Sequence, residues 1–181
     1  MSAIGMNEFM SIPTGMFACD AMLKAADVEL VSAGCVCAGK YYIVVTGDVA
    51  AVRSAVEAGK ADSESYLVDS LVIPNVDSQV APAICACTSV EQLNALGIME
   101  CYSLCAAIHA ADAAAKAADV TLLEVRLGRG LGGKSFVLLT GEVAAVEASI
   151  RAAEALEETQ GLMARSCVIP SPHPDMLKAI G

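Results

Sequence analysis

Residues 3–60 and 95–154 are two versions of one sequence. At an offset of 92, Gly5, Glu8, Ser11, Asp20, Lys24, Asp27 and Val28 coincide with Gly97, Glu100, Ser103, Asp112, Lys116, Asp119 and Val120. After a two-residue expansion the match resumes, GKYYIVVTGDVAAV at 39–52 against GKSFVLLTGEVAAV at 133–146. It returns as LVIP at 71–74 against CVIP at 167–170. A repeat this long makes one structural unit fold twice, so the chain reads as two tandem domains, 1–90 and 91–181.

Each copy has the same internal order. In the first, a strand over about 3–12 puts Ile4, Met6 and Met10 on one side, and an Ala-rich helix without Pro follows at about 14–26. A β-branched run at 28–36, a turn at Gly39 and a second run from Tyr41 to Thr46 form a hairpin. Thr46-Gly47-Asp48 is expected to cap a helix running to about 58, since an N-cap oxygen and an early Asp suit its positive end. Tyr66 to Ile73 closes the unit as a strand stopped by Pro74, and a linker over about 83–94 carries Cys85 and Cys87. The order β-α-β-β-α-β is that of the ferredoxin-like unit, an α+β arrangement within the broad α/β class.

Composition narrows the function. Of 181 residues, 56% are hydrophobic but only 4% aromatic, so the core is built from small aliphatic side chains. A net charge of -10 argues against nucleic acid and against anionic membranes, both of which select Lys and Arg. No basic segment leads into an apolar one at the N-terminus, and no apolar run reaches the roughly 18 residues that span a bilayer. A cytoplasmic location is expected, with the eight cysteines as thiols or ligands rather than disulfides.

The copies diverge most in the turn between their second and third strands. Copy one has GCVCAGK at 34–40 and copy two has GRGLGGK at 128–134. A duplicated scaffold that changes in one loop points to that loop as the carrier of a special function.

The D-A-x-x-K-A-A-D helix ends (Asp20–Asp27, Asp112–Asp119), the G-K-x-x-x-x-x-x-G-[DE]-V-x-x-V segments and the V-I-P-x-P-H close (Val168–His173) resemble bacterial microcompartment shell proteins. Two such domains in one chain resemble the tandem-domain class, and within it the iron–sulfur shell proteins of propanediol-utilisation compartments. The resemblance implies a flat homotrimer that mimics a hexagonal tile, packs with other shell proteins and is not an enzyme. It also implies that Cys37 of each chain meets its counterparts on the threefold axis, giving one [4Fe–4S] cluster per trimer for electron or cluster transfer to an enclosed redox enzyme. Cys35 is then an alternative ligand or a packing residue. Ala38, Gly128, Arg129, Gly130, Leu131 and Gly132 would line the central opening, with Arg126 or Arg129 setting its charge. Lys24, Lys116 and His173 would lie along the tile edge. Ser171 and Asn75 stand where the family usually has an edge arginine.

The residues leave other readings in view. Gly128, Gly130 and Gly133 satisfy G-x-G-x-x-G, yet a strand, not a helix, is expected after them, so no helix N-terminus is offered to a pyrophosphate. Cys101, Cys105 and His109 would need one helix to act as a metal triad, and Cys101 falls in a strand. No nucleophile elbow or triad spacing is present. One rival is a tile whose opening is an empty, gated metabolite pore; another is a trimeric ferredoxin-like small-ligand regulator.

Overall fold

The computed structural model describes residues 2–180. The first copy comprises β1 (Ser2–Phe9), α1 (Ile12–Ala25), β2 (Val28–Val36), β3 (Lys40–Asp48), α2 (Val49–Ala61) and β4 (Leu67–Pro74). A short helix, α3 (Val80–Ile84), precedes the second copy. There β5 (Ala95–Cys101), α4 (Leu104–Ala117), β6 (Val120–Leu127), β7 (Ser135–Gly141), α5 (Val143–Ala155) and β8 (Met163–Ile169) repeat the order, ending in a 3-10 segment at Pro174–Ala179. The sheets run β2-β3-β1-β4 and β6-β7-β5-β8, antiparallel throughout. This is the expected ferredoxin-like topology, made twice.

The residues that recur between copies are those the fold needs. Ser11 and Ser103 are N-caps, each accepting a hydrogen bond from the third residue on, Thr14 N and Ala106 N. Gly5 and Gly97 let a helix lie directly on the sheet. A Cβ at Gly5 would stand 2.6 Å from Val52 and Val56, and one at Gly97 2.7 Å from Leu139 and 2.8 Å from Val146. Thr46 and Thr140 donate to the carbonyls of Ala3 and Ala95, each at 2.9 Å, which ties the third strand to the first.

Two local expectations change. The first strand stops at Phe9 rather than near residue 12, because Ser11 caps a helix that begins at Ile12 with Pro13 in its first turn. Proline fits there, where the missing N–H would have had no intrahelical partner. Asp48 does occupy the N-cap position of α2, but its side chain makes no capping bond, and Thr46 is committed to Ala3.

Contacts divide the chain into two compact units, one of residues up to Ala81 together with Arg129–Gly133, the other of Pro82–Gly128 with the residues from Lys134 on. In the first, Ala3 and Phe9 of β1, Ala18 and Met22 of α1, and Val52, Ala55 and Val56 of α2 pack with Ile43 and Val45. Each of the larger side chains among them, Phe9, Met22, Ile43, Val45, Val52 and Val56, contributes roughly 1.5–3 kcal/mol on burial. In the second, the C-terminal segment lays Met176 and Ile180 against Leu96, Leu123 and Leu138. No helix among the described residues is long and apolar enough to cross a membrane.

Candidate functional site

The hairpin of β2 and β3 ends in the divergent turn. Register pairs Cys35 with Tyr41 and Val36 with Lys40, leaving Cys37, Ala38 and Gly39 outside the ladder. Gly39 turns the chain at φ 77°. Val36 is buried, Cys37 is half-buried, and Cys35 and Ala38 are exposed.

The two thiols have different surroundings. Cys35 neighbours Tyr41, whose ring lies against α1 beside Gly15 and Cys19. The Cys37 thiol instead lies beside the glycine loop, whose backbone N–H groups, foremost that of Gly130 and then those of Gly132, Leu131 and Gly133, favour its anion. Together they outweigh partial desolvation and hold its pKa below the ordinary thiol range. This glycine loop joins β6 to β7 of the second sheet, yet its residues Arg129–Gly133 are part of the first compact unit. Gly128, Gly130, Gly132 and Gly133 all have positive φ, from 60° to 89°, a conformation glycine adopts without penalty.

The members of the glycine loop differ in exposure. Gly128 is buried at its base, Leu131 is half-buried, and Arg129, Gly130 and Gly132 are exposed. The Arg129 guanidinium lies over Gly34, 3.3 Å from where a Cβ would be. Arg126 is engaged elsewhere: its Nε donates to Glu124 at 2.5 Å and its guanidinium stacks 5.2 Å from the Phe136 ring centre.

The lysine after each turn glycine has a structural task. Lys40 pairs with Glu8 of β1, whose carboxylate is 2% exposed, and Lys134 donates to Glu100 at 2.6 Å. This accounts for the recurrence of both the Glu and the G-K pair. Sequence reasoning had matched Glu8 with Glu100 without finding their partners, and the glycine-loop donors to Cys37 went unseen because about 93 residues separate donor from acceptor.

Of the edge candidates, Lys24 donates to Asp20 and Lys116 to Asp112, each at 2.6 Å. The first pair is exposed, while Asp112 is largely buried. His173 is exposed and its Nδ1 accepts from Asp175 N at 3.2 Å. Ser171 is exposed, and Asn75 sits at φ 54°. Cys101 ends β5, fully buried, with burial pushing its pKa up to about 11, while Cys105 and His109 lie in α4. The described residues of one chain gather no three His, Cys, Asp or Glu side chains as a metal site would require.

Comparison with known proteins identifies the repeat. The model of the BMC domain matches residues 3–76 and again 95–172. The chain belongs to the BMC-domain family. The bacterial microcompartment shell protein PduT of Citrobacter freundii is 42% identical over 174 residues, covering 96% of this chain and 95% of that one. The crystal structure of a microcompartment protein from Desulfitobacterium hafniense DCB superimposes with a TM-score of 0.94 at 50% identity, over 99% of both chains. The bacterial microcompartment shell protein PduA of Citrobacter freundii is 40% identical over 90 residues, 49% of this chain and 94% of that one. Two BMC domains in tandem, with shell proteins as relatives along nearly the full length, remove the small-ligand regulator from consideration.

Proposed function

We propose that this BMC-domain protein is a structural tile of a microcompartment shell and that three copies close around a threefold axis. In this reading Cys37 of each chain contributes one thiolate to a single [4Fe–4S] cluster at the axis. The observation that carries the reading is the placement of Cys37: a half-buried thiol at a hairpin tip, outside the β ladder and against the glycine loop, whose peptide N–H groups favour its anion. Copy two offers no cysteine in its own turn, so one chain supplies one such thiolate.

The donor set fits the group. Iron–sulfur clusters are held by thiolates, and the surrounding N–H groups suit bridging or ligand sulfur. With one ligand per chain, Cys37 of three chains would hold the group and would leave one iron to a non-protein ligand. When bound, such a cluster supplies one-electron transfer. The protein's part is to hold the thiolates ready and unprotonated, to close the opening with the glycine loop, and to place the group between the two faces of the wall. That chemistry would serve electron or cluster transfer across the shell to an enclosed redox enzyme.

Assembly has support in the single chain. Helix α1 leaves Met16 and Phe17 exposed at 54% and 59%, while Ile108, the counterpart of Met16, is fully buried. A bare apolar face of this kind is what a second copy would cover. Lys24, Lys116 and His173 are assigned to contacts between neighbouring tiles, including tiles of other shell proteins.

Light scattering together with iron and sulfide analysis after anaerobic reconstitution tests the reading. A trimer with about four irons and four sulfides per three chains is expected. A stable monomer or dimer would overturn the tile, and an iron-free trimer would leave the gated-pore reading in place.

A further inference from the structure

The glycines of the second-copy turn are not demanded by lack of space. A Cβ placed on Gly130 or Gly132 would meet nothing within 4 Å, and both residues are exposed. What they share is backbone conformation, φ 75° and 63°, followed by Gly133 at 89°. Left-handed residues recurring along a turn rotate successive N–H groups toward one side, which makes an anion-binding concavity known as a nest. At Gly133 a Cβ would stand 3.6 Å from the Cys37 carbonyl oxygen, so this concavity lies against the Cys37 turn within one compact unit.

We infer that Gly130–Gly133 is a sulfur cradle supplied by one repeat to the thiol of the other, orienting Cys37 and setting the electronics of whatever that sulfur binds. The two copies have thus divided a task. One kept the cysteine, and the other exchanged side chains for amide donors. The tuning half of this inference rests on the cluster reading, while the cradle itself does not. N–H donors aimed at a ligand sulfur stabilise the more negatively charged reduced form of an iron–sulfur group, so the cradle raises its potential.

Two readouts separate the parts. The first uses the iron-free full-length protein and NMR-detected hydrogen exchange. Amides of Gly130, Leu131 and Gly132 should exchange at least tenfold more slowly in the wild type than in Cys37→Ala, since the substitution removes only the acceptor. Equal exchange would overturn the cradle, whether or not the protein binds iron. The second uses reconstituted protein. Gly132→Val, which cannot comfortably hold positive φ, should move the potential to a more negative value, whereas Gly132→Asn, which tolerates that conformation, should stay near the wild type. Retained burial of Cys101 against alkylation checks that each variant is folded. Identical potentials in all three proteins would overturn the tuning role. An iron-free wild type would sink the cluster reading and leave the exchange experiment to decide the cradle alone.

Discussion

The two domains share a topology but fill the space between sheet and helices differently. In the first, Asn7 of β1, Met22 of α1 and Gly59 of α2 meet. A Cβ on Gly59 would stand 2.7 Å from both Asn7 Nδ2 and Met22 Cγ. Asn7 Nδ2 donates to the Val56 carbonyl at 3.0 Å and contacts Met22 Sδ at 3.6 Å, while its Oδ1 has no hydrogen-bond partner among the described residues. In the second, the corresponding residues are Met99, Ala114 and Ala153, all fully buried. The methionine has moved from helix to strand, and the helices have adjusted by one small residue each. Each copy repacked its core as a set while the backbone stayed fixed, which is how close-packed interiors tolerate substitution.

The same contrast governs the turns. Each copy retained the structural pair of Glu and Lys at the hairpin base. Copy one spent its loop on a thiol, and copy two spent its loop on glycines. At the turns, unlike in the cores, the divergent residues lie where the ladder no longer dictates side-chain direction.

The largest effect is expected at Met99, the one long side chain of its set. Met99→Ala should cost about 2–5 kcal/mol, read by urea unfolding, because neither Ala114 nor Ala153 can fill the void. Near-zero loss would mean that the copies are not packed as described.

Next is Gly59→Ala, expected to cost about 1–3 kcal/mol through overpacking against Asn7 and Met22. In the double variant Gly59→Ala/Met22→Ala the clash term should shrink, giving a favourable coupling energy in a double-mutant cycle. Strict additivity would break the comparison.

A third contrast is between Phe9 and Cys101, which occupy the same place at the end of the first strand of each copy, both fully buried. The Cys101 thiol is held neutral, with its pKa raised from 9.0 to about 11. In the unfolded chain it ionises near the ordinary value, so the folded state binds the proton more tightly between these limits. Stability of the second domain should therefore be full below about pH 9 and fall by an order of 2 kcal/mol as pH rises toward 11. The Cys101→Ala variant should lose that alkaline slope. An unchanged slope would place its cause elsewhere.

The smallest effects concern the helix-end ion pairs. Lys24→Ala, at an exposed pair, should change stability by less than about 0.5 kcal/mol, whereas Lys116→Ala should cost about 1 kcal/mol because it leaves Asp112 without its lysine in a drier setting. If the lysines also serve the tile edge, both variants should form trimers but weaker sheets, visible by electron microscopy.

How much of this could be read in advance follows from what the repeat encodes. Ser11 with Ser103, Gly5 with Gly97 and Thr46 with Thr140 are answers to backbone demands common to both copies, so their coincidence fixed strand and helix order. Helix α1 starts at Ile12, before the expected 14, because Ser11 caps it and Pro13 sits in the first turn, where it does no harm. Asp48 illustrates the reverse, a residue of capping type whose side chain makes no cap. Cys37 stood out as a difference between copies, but its donors did not. Nothing in a run of glycines says which distant sulfur their amides will face, and Asn7 gives no sequence sign that it will be buried.

The central claim is that Cys37, and not its neighbour, is the sulfur that binds. Iron and sulfide analysis of anaerobically reconstituted Cys37→Ser and Cys35→Ser measures this most directly, with trimer formation checked in parallel. The account predicts that Cys37→Ser remains trimeric without iron or visible absorption, while Cys35→Ser retains most of the wild-type iron. Wild-type iron in Cys37→Ser, or its loss only in Cys35→Ser, would contradict it.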